Sequence, residues 1–289
     1  MANGQWYPPE WPARIRALAS GELTPAAPRR AATVMLLRDG PDGTGPRVHM
    51  VRRRASMAFA GGAYAYPGGG VDPRDDRPVR WAGPSLESWG ERLGVSPAEA
   101  QAVVCAAVRE TFEEAGVLLA GPGPDSVVAD TTGEEWAADR AALEAHELSF
   151  ADFLDRRGLV LRSDLLAAWA RWITPEFEPR RYDTWFFAAV LPVGQVTVET
   201  SGEADRTEWA RPADAAARYD RGELLMMPPT IATLRALLPY TSAADQDLTP
   251  VVAEAELRGE EVVLTWPGHE EFTRHVPTGP RAPLEGRRS

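Results

Sequence analysis

Three glutamates in one short run are the residues of this chain best suited to chemistry. Residues 109–117 read R-E-T-F-E-E-A-G-V, so Glu113 and Glu114 follow Glu110 by three and four positions and share its face on a helix. Carboxylates this close repel one another, and they stay ionised together only when a cation neutralises them or water screens them. Such oxygen ligands suit hard divalent cations, which keep coordination positions for substrate phosphates. The run therefore indicates either a metal-binding face or a solvated acidic face.

A helix must hold these carboxylates, and the flanking residues indicate where it begins and ends. Ser96 suits the N-cap, Pro97 suits the first helical position, and Glu99 completes a Ser-x-x-Glu capping box. Gly116 suits the left-handed residue that ends a helix. We therefore predict a helix over Pro97–Ala115. Its apolar stripe, opposite the glutamates, consists of Val104, Val108, Phe112 and Ala115.

A glycine-rich loop precedes this helix and favours the metal-binding interpretation. Residues 66–72 read Y-P-G-G-G-V-D, and the run of glycines lets the backbone turn sharply and approach a ligand closely. The loop and the glutamate run together resemble the signature of the Nudix hydrolase superfamily. That signature has a glycine and a glutamate at fixed spacing, then R-E-U-x-E-E-x-G-U, where U is a bulky aliphatic residue. The residues that match it are Gly69, Arg109, Glu110, Glu113, Glu114, Gly116 and Val117.

The chain departs from this signature in three ways. Thr111 replaces an aliphatic residue, Gln101 stands where the first glutamate is expected, and about 26 residues are inserted between the glycine loop and Arg109. In the family the missing glutamate pairs with the arginine, so its loss bears on local structure more than on chemistry. Glu99 and Asp72 are candidates to replace it. The insertion and the R-E-T-F-E-E-A-G form resemble the long-insert branch of coenzyme A and acyl-CoA diphosphatase-like members.

The resemblance implies an α/β fold, the Nudix-type α/β/α sandwich around a mixed sheet, with helical insertions. We expect an N-terminal arm over 1–30, a Nudix hydrolase domain over 31–240, and a C-terminal extension over 241–289 with a hairpin and a tail. Within the domain, an insert occupies about 73–96 and a helical elaboration occupies about 133–173.

Local patterns predict the other elements. Strands are expected at 32–37, 48–53 and Tyr182–Val190, with 195–199 extending the sheet and a terminal hairpin at 251–257 and 261–266. Helices are expected at 14–19, 85–93, 134–147, Phe150–Arg156, 165–172, 213–219 and 230–238, with two prolines at 228–229 separating the last two.

The composition of the chain limits the classes of molecule that it is expected to bind. A net charge of −11 argues against nonspecific nucleic-acid binding, whereas a bound cation would reverse the local charge for a phosphorylated small molecule. The single cysteine, Cys105, excludes an intramolecular disulfide framework and fits a reducing compartment. No apolar run is long enough to predict a membrane span. We expect a cytoplasmic protein with a small nucleoside diphosphate substrate and neither nucleic acid nor membrane as partner; a homodimer stays open.

The reaction that the resemblance implies is hydrolysis of a nucleoside diphosphate linkage with Mg²⁺ or Mn²⁺. Metal ions would lower the pKa of bound water and neutralise phosphate charge. The main ligands are expected to be Glu113 and Glu114, with Glu110 as ligand or base. The Gly69 carbonyl is a further ligand candidate, and Arg109 is expected to orient the carboxylates.

The general base stays open between Glu110 and two glutamates of a distant loop, Glu203 and Glu208, of which Glu203 is favoured. Each loop glutamate has an alternative interpretation as a solvated carboxylate. A Nudix-like binding module without turnover is the alternative class of function, which the changes at Gln101 and Thr111 motivate.

Substrate identity depends on residues upstream of the helix. The coenzyme A motif of the superfamily keeps its arginine and its aromatic-Pro-Gly-Gly end here, but its histidine and glutamine fall at Ala60 and Ala63. The run Arg52–Arg54, and in it Arg52 and Arg54 in particular, is a candidate to bind a 3′-phosphate by charge-assisted hydrogen bonds, or it forms a solvated basic strand end. We expect coenzyme A or acyl-CoA as substrate, with ADP-ribose, NADH or a nucleotide sugar as alternatives. The glycines expected to contact the substrate are Gly68, Gly69 and Gly70.

Overall fold

A mixed β-sheet forms the centre of the fold in the computed structural model, which describes residues 10–41, 45–54, 61–198, 204–239, 250–258 and 261–266. The strands are β1 (Arg29–Asp39), β2 (Pro46–Arg53), β3 (Tyr64–Ala65), β4 (Gly68–Gly70), β5 (Trp81–Ala82), β6 (Ala120–Gly121), β7 (Val160–Arg162), β8 (Ala167–Ile173), β9 (Tyr182–Val190), β10 (Ala204–Ala210), β11 (Val251–Val252), β12 (Glu254–Arg258) and β13 (Glu261–Thr265). The α-helices are α1 (Trp11–Ala19), α2 (Leu86–Leu93), α3 (Pro97–Ala115), α4 (Glu134–Glu144), α5 (Phe150–Arg156), α6 (Pro212–Asp220) and α7 (Pro228–Ala236). Short 3-10 helices occupy Pro73–Asp76 and Ser163–Leu165.

The main sheet places the glycine loop near its centre. Its strands run in the order β10-β2-β1-β9-β8-β11, and β3 and β4 pair with β2 and β1 respectively. β1 pairs with β9 in parallel, and the glycine strand β4 pairs with β1 antiparallel. Because α3 packs on both β1 and β4, the glycines and the signature helix lie side by side.

Helices cover both faces of the main sheet, each over its own apolar cluster. α2, α3, α4 and α5 lie on one face and pack on Ala32, Val34 and Leu36 of β1. α1, α6 and α7 lie on the other face and pack on Met35 and Leu37 of the same strand. Alternate residues of β1 thus point to opposite layers, as the two-residue period of a strand requires. The predicted α/β/α sandwich is confirmed. Among the described residues, no helix has the length and apolar content needed to cross a membrane.

Several predicted elements are confirmed at their ends because local signals decide them. α3 begins with the capping box of Ser96 and Glu99 and ends at Gly116, whose φ of 70° is left-handed. α2 follows the N-cap Ser85 and ends at Gly94, which is also left-handed. α5 and β9 span the predicted residues.

The segment predicted as a helix over 165–172 is strand β8, so this prediction is wrong. Its alanine-rich sequence favours a helix locally, but β8 pairs antiparallel with β9 inside the main sheet. Trp169 and Trp172 are buried there in the apolar cluster under α1, α6 and α7. Burial of two large aromatic side chains in the sheet outweighs the weak local preference.

Two further predictions about local structure are wrong. Residues 195–198 do not extend the sheet; the buried amide of Gln195 instead accepts from the Leu118 N–H at 2.9 Å and donates to the Val128 carbonyl at 2.7 Å. The edge strand beside β2 is β10, further along the chain. Pro228 and Pro229 start α7 and do not merely separate two helices, because a residue without an N–H fits the first turn of a helix.

The two ends of the chain are described in part. α1 belongs to the predicted N-terminal arm and packs Trp11 edge-on against Phe177, with ring centroids 5.0 Å apart. β12 and β13 pair as the predicted C-terminal hairpin. Residues 1–9 of the arm and the predicted tail lie outside the described residues.

The insert and the helical elaboration form one wall beside α3. β5 of the insert pairs with β7, which pairs with β6 just after α3. Arg77 of the insert donates to the Ser149 hydroxyl at 2.8 Å, and Arg74 donates to the His146 carbonyl at 2.9 Å. This wall holds the 3-10 helix Pro73–Asp76 against the carboxylate side of α3.

Candidate active site

The three glutamates of α3 border one cleft of about 630 Å³ between the helix, the glycine strand and the wall formed by the insert. Glu110 and Glu114 are partly exposed, whereas Glu113 is only 6% exposed. The sequence predicted the three glutamates on one face of the helix, opposite the apolar stripe. The insert packs against part of that face. The lining also includes Gly68, Gly69, Gly70, Arg53, Asp72, Glu144 and His146.

Arg109 connects the carboxylate face of α3 to the insert. Its guanidinium donates from Nη1 to Glu110 at 2.8 Å and to both oxygens of Glu113 at 3.3 Å. Nε and Nη2 donate to the two oxygens of Asp75 at 3.1 and 3.0 Å, and Nη2 also donates to the Gly70 carbonyl at 2.8 Å. The side chain is therefore fixed by paired, charge-assisted hydrogen bonds, and its orienting role stays a prediction.

Neither residue proposed to replace the missing glutamate binds Arg109. Glu99 caps its own helix through Ser96 and forms an ion pair with Arg30 at 3.1 Å. Asp72 caps the 3-10 helix and pairs with Arg74 at 2.8 Å.

The charges around Glu113 shift its protonation. Its pKa is raised to about 7, chiefly because burial disfavours the charged form; Arg109 opposes the shift, and Glu110 and Glu144 add to it. Burial alone would lower the pKa of Arg109, but Glu110, Asp75 and Glu113 reverse this effect and raise it. Arg109 therefore stays charged. A cation near Glu113 would favour the ionised form of Glu113.

The glycine strand touches two of the glutamates through its backbone. The Gly68 N–H donates to Glu114 Oε2 at 3.0 Å. At Gly69, a Cβ atom would lie 2.6 Å from the carboxyl carbon of Glu110, so with any other residue at position 69 this carboxylate would have to move. The strand and the helix therefore fit together at the acidic residues themselves.

The donor chemistry of this cleft fits a hard divalent cation. Three carboxylates and the backbone of Gly69 border the same space, and Glu110 and Glu144 add to the rise that burial causes in the pKa of Glu113. Carboxylate and carbonyl oxygens suit both Mg²⁺ and Mn²⁺. In the described part of the chain, no three Asp, Glu, His or Cys side chains already form a metal-ligand cluster; Arg109 and the Gly68 N–H engage the glutamates instead.

Several predicted site residues do not line the cleft. Arg52 lies on the opposite face of β2 from Val51 and pairs with Asp205 at 2.6 Å, and neither Arg52 nor Arg54 belongs to the described lining. Glu208 pairs with Arg218 at 2.9 Å and is likewise absent from that lining. Glu203 lies outside the described residues, so its role stays a prediction.

Of the run Arg52–Arg54, the described lining includes Arg53. Arg53 shares a strand face with Val51, and both line the cleft. Glu144 and His146 come from the elaboration, whose position relative to α3 no local pattern predicts. Asp75 pairs with Arg109 outside this lining, and the sequence carried a signal for it: Asp75 follows Gly69 by six positions, the spacing at which the signature has its first glutamate. Thr111, which replaces an aliphatic residue of the signature, fits the buried side of α3 because its hydroxyl donates to the Ala107 carbonyl at 2.7 Å.

Comparison with known families agrees with this geometry. The protein-family model of the NUDT19 Nudix domain matches residues 90–237, slightly more than half of the 289-residue chain. The chain belongs to this family. The matched residues extend from α2 to the end of α7 and include the glutamate run of α3. The predicted Nudix hydrolase resemblance is thereby confirmed.

Individual relatives of the NUDT19 Nudix family are moderately similar to this chain. The acyl-coenzyme A diphosphatase NUDT19 of Homo sapiens is 27% identical over 246 residues, covering 71% of this chain and 64% of the relative. The protein of the same name from Gallus gallus is 27% identical over 267 residues, covering 75% and 70%. A crystal structure of a NUDIX hydrolase from Alicyclobacillus acidocaldarius superposes with a TM-score of 0.61 at 29% identity, covering 77% of this chain and 99% of that one.

Proposed function

We propose that this protein is a divalent-cation-dependent diphosphatase that cleaves coenzyme A or acyl-CoA into 3′,5′-ADP and (acyl-)4′-phosphopantetheine. The observation that carries the proposal is the cleft in which three α3 carboxylates meet the glycine strand. The relatives named acyl-coenzyme A diphosphatase support the substrate class. Nudix hydrolases generally use divalent metal ions, and the oxygen donors of the cleft suit them.

The three glutamates of α3, Gly69 and Arg109 each have a role in this proposal. Glu113 and Glu114 would be the main cation ligands, Glu110 a ligand or the general base, and the Gly69 carbonyl a further ligand. A bound divalent cation would lower the pKa of a water molecule and neutralise phosphate charge. Arg109 orients Glu110 and Glu113, so that their oxygens stay on the cleft side of the helix.

The substrate's diphosphate would approach along the glycine strand, where side chains are absent. We assign recognition of its anionic groups to Arg53, because this arginine lines the cleft together with the glutamates. The position of Arg53 places a positive charge in the same space as the carboxylates, which suits a phosphorylated ligand whose other phosphate oxygens meet the cation.

Arg53→Ala is expected to lower kcat/KM by about 10-fold or more, mainly through KM, because a charge-assisted hydrogen bond to the substrate is lost. Steady-state kinetics on the preferred substrate measures this. Arg52→Ala is the matched comparison, since its side chain pairs with Asp205 on the other face of the strand. A larger KM effect for Arg52→Ala than for Arg53→Ala would contradict the assignment.

Hydrolysis of a substrate panel tests the function itself. The full chain, stripped with EDTA and then given Mg²⁺ or Mn²⁺, is assayed with coenzyme A, acyl-CoA, ADP-ribose, NADH and nucleotide sugars, with products identified by mass. Release of 3′,5′-ADP and 4′-phosphopantetheine only when the cation is present supports the proposal. Cleavage of another panel member instead would replace the substrate, and silence across the panel with either cation would favour the binding-module alternative.

A further inference from the structure

His146 follows helix α4 in an unusual backbone conformation beside the cleft. Its φ of 56° is left-handed, and among the described residues no other non-glycine residue has a positive φ. Glycine usually takes this position after a helix, because a Cβ atom makes the conformation unfavourable. The imidazole of His146 nevertheless lines the cleft, and its side chain is 69% exposed. A strained residue that presents its side chain to a cleft indicates a functional role for that side chain.

Arg74 of the insert holds His146 in this conformation. Nη1 of Arg74 donates to the His146 carbonyl at 2.9 Å, and Nη2 lies 3.1 Å from the ring atom Nδ1. Asp72 Oδ2 lies 3.2 Å from the same ring nitrogen and accepts from Arg74 Nη2 at 2.8 Å. The insert therefore fixes both the backbone and the ring of a residue that belongs to the elaboration.

These contacts decide which hydrogen-bonding group the ring offers to a ligand. Arginine can only donate, so a neutral imidazole accepts from Arg74 at Nδ1 and carries its proton on Nε2. A charged imidazolium donates from Nδ1 to Asp72 and again carries a proton on Nε2. In both protonation states Nε2, which is not the nitrogen that faces Arg74 and Asp72, is a hydrogen-bond donor.

The surroundings of His146 suit an uncharged part of a ligand. Val71 and Pro73 flank Asp72 in the sequence and add apolar surface to the lining of the cleft. Glu144, two residues before His146, lines the cleft as well, and its carboxylate would repel a phosphate group placed there. A neutral chain with hydrogen-bond acceptors and apolar groups fits this part of the cleft better than an anion.

Arg53 provides the opposite environment. It lies on β2 in the main sheet and gives the sheet side of the cleft a positive charge, whereas His146 belongs to the wall. We propose that His146 is a specificity-determining residue that donates from Nε2 to the pantetheine part of the substrate, while the 3′-phosphate of the nucleotide part lies on the Arg53 side. The amide carbonyls of pantetheine are uncharged acceptors, and its methyl and methylene groups suit Val71 and Pro73. The inference rests on the proposed function, because it assigns the two halves of coenzyme A to two parts of one cleft.

His146→Gly removes the ring and leaves the backbone contact that holds this segment. Glycine adopts a φ of 56° readily, and Arg74 still has the carbonyl of residue 146 as its acceptor, so the Tm should not fall. The affinity for 4′-phosphopantetheine should fall by about 3-fold to 10-fold, as expected for one lost hydrogen bond. The affinity for 3′,5′-ADP should change less than about twofold. Titration calorimetry of each product with the full chain at saturating Mn²⁺ measures both.

Arg53→Ala is the matched comparison, because it should weaken binding of 3′,5′-ADP more than binding of 4′-phosphopantetheine. The inference is overturned if His146→Gly leaves the affinity for 4′-phosphopantetheine unchanged or weakens 3′,5′-ADP more. It also fails if the wild-type chain does not bind 4′-phosphopantetheine, whichever substrate is hydrolysed. Turnover separates the two proposals. Hydrolysis of coenzyme A with unchanged affinities in His146→Gly would contradict this inference alone, whereas the expected affinities without hydrolysis would contradict the proposed function alone.

Discussion

Glu113→Gln and Glu114→Gln are each expected to lower kcat by more than about 100-fold. Outer partners of a metal site cost up to about that factor, and these two side chains are proposed as direct ligands. Loss of a charged oxygen there weakens both cation binding and neutralisation of the substrate's phosphates. The measurement is turnover in the product assay at saturating Mn²⁺. Glu91→Gln, an exposed glutamate on α2, is the matched control for the loss of one negative charge.

Thermal stability separates a catalytic loss from a folding defect in these variants. The raised pKa of Glu113, about 7, means that its charged form is unfavourable in the metal-free fold, so Glu113→Gln should keep or raise the metal-free Tm. Glutamine at position 114 still offers an oxygen to the Gly68 N–H. Near-normal turnover in either variant would remove that residue from the proposed ligands, and a large fall in Tm would make its role structural.

The parts of the fold that the sequence predicted are those decided by neighbouring residues. The ends of α3 follow from the Ser96 capping box and from Gly116, and both signals act within one helical turn. The segment at 165–172 shows the limit of such reasoning. Its alanines favour a helix, but its tryptophans are buried only because β9 and the layer of α1, α6 and α7 surround them, and these partners are distant in the sequence.

In the candidate site, too, local spacing predicted some of the residues and not others. Helical spacing placed the three glutamates on one face, and they do border one cleft. The sequence did not show which face of β2 each arginine occupies, and a shift of one residue along a strand exchanges its two faces. Consequently Arg53 lines the cleft while Arg52 points away. Asp75 could have been predicted by counting forward from Gly69 at the spacing of the signature; counting back from Arg109 leads to Gln101, because the insertion lies between Asp75 and Arg109.

Gly69→Ala is expected to lower kcat by about 100-fold while the protein stays folded. The added methyl group would lie 2.6 Å from the carboxyl carbon of Glu110, so this flexible side chain must move away from the cleft. A displacement of about 1 Å in an active-site group costs about that factor in rate. The measurement is turnover at saturating Mn²⁺, with the metal-free Tm recorded on the same sample.

The two neighbouring glycines provide internal comparisons for this prediction. At Gly70 a Cβ atom would meet nothing within 4 Å, so Gly70→Ala should lose much less activity than Gly69→Ala. At Gly68 it would lie 2.7 Å from the Thr33 Cα in the main sheet, and this rigid backbone cannot yield, so Gly68→Ala should lower the Tm. Equal activity losses at positions 69 and 70, with the Tm unchanged, would mean that the methyl groups obstruct the substrate. The contact between Gly69 and Glu110 would then not be the cause.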